Sequence, residues 1–280
     1  MKDKQYNWIN VSGGKDSTAL LLWSLEQPEE FKEKCRYVYA DTKHEHPAVY
    51  KYLSYLEFVT GVKIERIESE GFLEMCKRKQ RFPSVKARFC TEELKIKPMA
   101  KHMDSEEPHD ADHPHMVYVG IRREESPARA RLTETTYSNY KYPPRKTSWQ
   151  LRHHPLLDWY VQDVFDIHKK YCVEPNPLYK MGMHRVGCFP CIMTRHAELR
   201  TMFKRFPEVI DRIEDWEKQV SAVQLEHKGV TSNPTLFALA DLHDDIKGIR
   251  DFAGYLDRGE ELPGLEQDFE GCMSIYGLCE

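Results

Sequence analysis

Six consecutive residues, Ser12-Gly13-Gly14-Lys15-Asp16-Ser17, combine the side chains and backbone freedom that an anion cradle needs. Gly13 and Gly14 admit conformations closed to other residues and let backbone amides approach an anion closely. The six sit where a strand-like run gives way to a helical one. The free N–H groups and partial positive charge of a helix start therefore add to the full charge of Lys15. The hydroxyls of Ser12 and Ser17 supply further hydrogen bonds. The Gly-x4-Gly-Lys spacing of a Walker loop is absent. A plain strand–helix turn with Asp16 and Ser17 as caps uses similar residues, but all six together in this context point to a bound phosphate group.

A second chemistry lies in the cysteines. Cys188-Phe189-Pro190-Cys191 puts two thiolates on one tight turn, which suits Zn2+ or an iron–sulfur cluster, and neither is satisfied by two ligands. Cys272, Cys279 and Cys90 are the candidates to complete the set. Cys35, Cys76 and Cys172 fall in strand or helix patterns and are expected to be small core residues. The histidines between 109 and 115 lie in an acidic, Pro-broken stretch, so a solvated loop is expected over 104–115.

These residues need elements to hold them. Strand patterns at 6–11, 35–40, 63–67 and 116–121 alternate with helical ones at 15–26, 47–58, 71–80 and 92–103. Pro47 opens the second helix and Gly61 stops it. The alternation predicts an α/β fold with a doubly wound parallel sheet covered on both faces. Ligands of such sheets bind beyond the carboxyl ends of the strands, where strand order reverses. If the fourth strand starts the second half, that point brings the 12–17 loop to Gly120, Arg122 and Arg123, with Arg129 one or two turns on. After a soft boundary near residue 150 the pattern turns helical and irregular. The expected division is a nucleotide-binding domain over 1–150 and a Cys-bearing region over 151–280.

Composition sets the outer limits. Hydrophobic residues make up 40% of 280, enough for a real core, and no run suits a membrane span. No leader pattern precedes the first strand, so a cytoplasmic protein with reduced cysteines is expected. The net charge of −4 hides an asymmetry: residues 76–102 carry nine Lys or Arg, and 241–270 carry ten Asp or Glu. The basic stretches around 77–101 and 122–152, with Tyr137, Tyr140, Tyr142 and Trp149 among or beside them, suit an anionic partner, nucleic acid included.

Ser12–Ser17 after the first strand resembles the pyrophosphate loop of the adenine nucleotide alpha-hydrolase superfamily. Within it the chain resembles the phosphoadenosine phosphosulfate (PAPS) reductase family. The likeness runs through Asp41-Thr42-Lys43-His44-Glu45-His46-Pro47, Arg88-Phe89-Cys90-Thr91, Gly120-Ile121-Arg122-Arg123-Glu124-Glu125-Ser126, Pro155-Leu156-Leu157-Asp158-Trp159, Asn176-Pro177-Leu178-Tyr179 and Gly187-Cys188-Phe189-Pro190-Cys191. The resemblance implies that Asp41 and Thr42 face the nucleotide, Asp41 as a candidate Mg2+ or ribose partner. Iron–sulfur reductases of the family pair a Cys-Cys with a later Cys-x-x-Cys; here the pair reads Phe89-Cys90. Cys188, Cys191, Cys272 and Cys279 restore the count, leaving Cys90 as a candidate nucleophile. True sulfonucleotide reductases have a drifted loop and end in Glu-Cys-Gly-Leu-His, whereas this chain keeps the loop and ends Gly277-Leu278-Cys279-Glu280. Both departures favour ATP and splitting between its α- and β-phosphates, with Lys15, Asp16 and Arg122 in the chemistry, Mg2+ beside them, and an acceptor adenylated in sulfur transfer. PAPS reduction, a sulfate adenylyltransferase-like activity and a nucleotide-sensing role without catalysis are the alternatives.

Overall fold

The computed structural model describes residues 5–142, 146–237 and 246–258. Strand β1 (Asn7–Asn10) enters helix α1 (Lys15–Leu25), followed by a short turn α2 (Glu29–Lys32), strand β2 (Cys35–Asp41), helix α3 (Pro47–Thr60) and strand β3 (Ile64–Glu68). Helix α4 (Phe72–Lys79) and the short α5 (Phe89–Thr91) precede a π-helical turn over Glu92–Ile96, which continues into α6 (Lys97–Glu106). Strand β4 (His115–Tyr118), a single turn α7 (Pro127–Ala130) and strands β5 (Thr135–Tyr142) and β6 (Lys146–His153) complete the sheet. Helices α8 (Val161–Lys170), α9 (Pro177–Lys180), α10 (His196–Arg205), α11 (Glu208–Lys228) and α12 (Ile249–Arg258) follow.

The six strands lie in the order β3-β2-β1-β4-β6-β5, all parallel except the β5–β6 pair. After β3 the chain crosses back to place β4 beside β1, so the strand order reverses between β1 and β4. This is the expected doubly wound α/β sheet, with one antiparallel strand at its edge. Residues of β1 are buried on both faces: Ile9 joins the cluster containing α1 and α3, and Trp8 joins Val38, Val117 and the α6 residues Met99 and Met103. A strand covered on both sides reads as continuously buried, which is what β1 does.

Local signals set the helix ends. His46 caps α3, its Nδ1 accepting from the Ala48 amide at 3.0 Å, and Gly61 closes the helix at φ 72°. Helix α1 is buried nearly all round, as a helix sandwiched between sheet and α8 must be.

The 104–115 stretch differs from the solvated loop expected. Helix α6 runs on to Glu106, Glu107 and His115 are buried, and Asp104 points inward to Ser148 and Tyr142. Alternating small polar and aromatic residues make 135–142 a strand, so the stretch read as a basic, aromatic surface is half edge of the sheet. Residue 150 lies inside β6, and one apolar core runs from Ile9 through Leu256. Cys76 is a core residue and Cys35 half-buried, but Cys172 is exposed: it stands at φ 53° just past the end of α8.

Candidate functional site

The 12–17 loop leaves the carboxyl end of β1 at the switch point. Gly13 sits at φ 81°, a conformation L side chains rarely adopt, and Gly14 is the N-cap of α1 without a side chain to occupy the helix end. The first-turn amides of a helix have no intrahelical partner, so this end presents donors and positive potential together. Ser17 braces the turn: its hydroxyl accepts from the Ser12 amide at 3.0 Å, lies 2.9 Å from the Ser12 hydroxyl, and donates to the Gly14 carbonyl at 3.1 Å.

Asp16 is the electrostatic hub. Fully buried, it accepts from Lys15 Nζ at 2.7 Å through one carboxylate oxygen and from Arg122 Nε at 2.6 Å through the other. An ionised carboxylate at this depth needs such partners. Arg122 reaches Asp16 from the segment after β4 and also pairs with Glu124. Gly120 makes the approach possible, because a Cβ there would lie 2.8 Å from the Asp16 carbonyl oxygen.

The neighbouring arginines have other tasks. Arg123 turns to Asp158 at 2.6 Å and to the carbonyls of Ala130 and Leu132, fastening the 123–132 turn. Arg129 is fully buried and pairs with Glu125. Lys15, Asp16, Gly120 and Arg122 are thus brought together, while Arg123 and Arg129 brace the turn behind them.

The second half of the chain closes the loop's other side. Asn176 Nδ2 donates to the Gly13 carbonyl at 3.1 Å, and the Tyr179 hydroxyl accepts from the Lys15 amide at 2.9 Å. Lys15 Nζ also lies 5.8 Å from the Tyr179 ring centre. Buried His168 faces the same charges. Burial lowers its pKa below the ordinary imidazole value, with Asp16 pulling up and Lys15 pushing down. Asn176 and Tyr179 were visible in the sequence as part of Asn-Pro-Leu-Tyr, but nothing in that string says which loop it meets. Asn10 was hidden inside a strand pattern; its buried Oδ1 has no partner among the described residues and lines the pocket beside Ser12.

That pocket runs from Ser12 past Ala40 and Glu45 to Lys95, Gly187, Cys188 and Cys191. Asp41 ends β2, accepting from the Lys43 amide and the Tyr50 hydroxyl, both at 2.8 Å. Thr42 donates to Glu45 at 2.6 Å and lies 3.8 Å from Cys188 Sγ. Burial raises the Glu45 pKa, against the pull of the Lys95 ammonium. The π-helical turn over Glu92–Ile96 aims Lys95 inward.

Cys90 joins Cys188 and Cys191 around a second, adjoining pocket. Among the described residues these three thiols do not close to metal-binding distance of one another: the one group of three potential ligand atoms within 4.8 Å is Asp104, His109 and His115. The Cys191 sulfur accepts from the Met193 amide at 3.5 Å. The described residues alone therefore do not complete a tetrathiolate site. Cys272 and Cys279 lie outside the described residues.

The expected basic surface is neutralised in part. Lys77, Arg78, Lys79 and Lys97 pair with Glu74, Glu92 and Glu93 at 2.9–3.1 Å. Of the aromatic residues proposed to stack on bases, Tyr142 is buried and Tyr140 packs on Arg152, while Tyr137 is exposed beside Trp149. No helix among the described residues is long and apolar enough to cross a membrane.

Comparison with known proteins finds relatives over most of the chain. An uncharacterized 37.8 kDa protein of Escherichia phage 186 is 34% identical over 341 aligned positions, covering 98% of this chain and 96% of its own. An uncharacterized Methanocaldococcus jannaschii protein is 28% identical over 220, covering 78% of this chain but 41% of its own length. Among solved structures, a Candida auris phosphoadenylyl-sulfate reductase in a phosphate complex is similar at TM-score 0.42 and 14% identity, over 66% of this chain and 81% of that one. A Candida glabrata FMN adenylyltransferase with FAD and inorganic pyrophosphate is similar at TM-score 0.46 and 13% identity, over 67% and 56%. The family model for the phosphoadenosine phosphosulfate reductase domain matches residues 6–194, two thirds of the chain and every element that builds the loop, so the chain belongs to the PAPS reductase domain family.

Proposed function

We propose that the chain is an adenylating enzyme that splits ATP between its α- and β-phosphates, in the service of sulfur transfer. The observation that carries this reading is the charge cluster of Lys15, Asp16 and Arg122 at the mouth of an intact Ser-Gly-Gly-Lys-Asp-Ser loop. An acceptor oxygen attacks the α-phosphorus, the bond to the bridging oxygen breaks, and pyrophosphate leaves with the electron pair. Negative charge grows on the leaving group, next to the loop amides and Lys15. Mg2+ bound to the nucleotide would neutralise part of it. Both oxygens of Asp16 are engaged, so its part is to hold Lys15 and Arg122 in place. Asp41 and Thr42, with Asn10 behind them, line the side on which the nucleoside would lie.

The acceptor belongs on the far side of the pocket, toward Cys188, Cys191 and Cys90. A metal centre on Cys188, Cys191, Cys272 and Cys279, iron–sulfur or zinc, is part of the same proposal, and no step is assigned to it. A nucleic-acid acceptor would have to reach that pocket; Tyr137, whose hydroxyl donates to the Ala111 carbonyl, lies with Trp149 toward the other end of β4 and does not line it.

Reduction of PAPS is the second reading, favoured by the family itself. Calorimetry separates the two. ATP should bind more tightly than PAPS, because PAPS lacks the β- and γ-phosphates the loop would hold. Tighter binding of PAPS would favour the reductase.

A further inference from the structure

The structure assigns a second metal site, remote from the nucleotide loop: we propose that Asp104, His109 and His115 bind one Zn2+ at the amino-terminal edge of β4. His115 opens β4, and the 12–17 loop lies beyond the opposite ends of the strands. Three ligand atoms converge there. His115 Nε2 is 2.8 Å and His109 Nε2 3.3 Å from the same Asp104 oxygen, and all three atoms lie within 4.8 Å of one another. Zinc sits about 2.0–2.2 Å from nitrogen and oxygen ligands, so a tetrahedral site has ligand–ligand edges of about 3.3–3.5 Å. The His115–Asp104 spacing needs to open by about 0.5–0.7 Å, the His109–Asp104 spacing is already close to such an edge, and the two imidazole nitrogens lie within 4.8 Å of each other. The imidazole rings stack at 4.3 Å between centres, and both Nε2 atoms face the same Asp104 oxygen.

The surroundings are those of a metal site. Glu107 accepts from His115 Nδ1 at 2.6 Å, which fixes the proton on that nitrogen and leaves Nε2 as the one able to bind an ion. Glu107 is itself held by the Trp8 indole at 2.9 Å and the Tyr6 amide at 2.6 Å. Asp104 is oriented by the Ser148 hydroxyl at 2.8 Å and by Tyr142. The Thr147 carbonyl, 3.1 Å from His109 Nε2, is placed as a fourth oxygen, with water as the other choice. Two imidazoles and a carboxylate suit Zn2+ among divalent transition ions. Binding would release the Nε2 protons and tie together the end of α6, β4 and β6.

The test uses the full chain, dialysed against a chelator and titrated with Co2+ and then Zn2+. Cobalt on this site gives visible d–d bands without the near-ultraviolet thiolate-to-metal band that a cysteine site produces. One such equivalent is expected in the wild type and none in His109→Ala. Zn2+ at a hundredfold excess over Kd should raise the wild-type Tm by roughly 5–10 °C. Asp104→Asn keeps the hydrogen-bonding shape but loses the anionic ligand, and should weaken Zn2+ at least tenfold. It also serves if His109→Ala does not fold. A wild type that takes up no thiolate-free cobalt, or variants that bind it as the wild type does, would overturn the site.

Discussion

Asp16 and His44 show how burial turns single residues into determinants of behaviour. Asp16 is buried with Lys15 against one carboxylate oxygen and Arg122 against the other. His44 takes the opposite course. It is buried, stacked at 4.3 Å on Phe72, and donates through Nε2 to the Pro190 carbonyl at 2.9 Å, while Nδ1 has no partner among the described residues. Burial first, then Arg212 and Lys95, lowers its pKa from 6.5 to about 3. The unfolded chain therefore takes up this proton at a higher pH than the folded one. The His44 contribution is fully present above pH 6.5 and is lost as pH falls from there toward 3. Between pH 7 and 5 the loss comes to about 2 kcal/mol. His44→Phe keeps the stack and removes the titration. Denaturant unfolding should show the pH 7-to-5 loss of stability shrink by about that amount, at whatever absolute stability the variant has. An undiminished loss would mean His44 is not buried as described.

At the scale of elements, the tight junction is between the start of α1 and the end of β4. Gly120 lets the two backbones meet: an added Cβ would lie 2.8 Å from the Asp16 carbonyl oxygen and 3.2 Å from the Ser17 amide. Both are main-chain atoms, so one element must move. Gly120→Ala should lower stability by about 1–3 kcal/mol and weaken nucleotide binding at least tenfold. Gly187→Ala, where an added Cβ meets nothing within 4 Å, is the control for stability in thermal melts. Equal melting of both variants would argue against the close approach. The alternation of β and α in the first half was legible because the strands are short and the helices between them have marked ends, as Pro47 and Gly61 mark those of α3. The β5–β6 pair was not, because its inward residues include Ser148, Gln150 and Arg152, polar side chains that read as surface. The same limit hid the 104–115 cluster: charged residues are buried there only because they satisfy one another, which no spacing reveals.

Over the whole molecule, the helical half lays Asn176 and Tyr179 on the 12–17 loop and Cys188 beside Thr42, so one pocket joins that loop to the cysteines. The loop, Gly120 and Arg122 were readable as a set because topology forces them to one sheet edge. The turn of Arg123 toward Asp158 was not, since adjacent arginines look alike in sequence and only the 123–132 turn distinguishes them. Thiols could be counted from the sequence, but their separation could not.

The claim that the loop splits ATP at the α–β bond is tested most directly by single turnover of α-labelled ATP with Mg2+, following pyrophosphate and the fate of the label. The account predicts pyrophosphate release with the label in AMP or an adenylylated acceptor, and at least a hundredfold loss in Lys15→Ala and Asp16→Ala with the fold retained. Release of ADP and phosphate, or turnover unchanged in either variant, would contradict it.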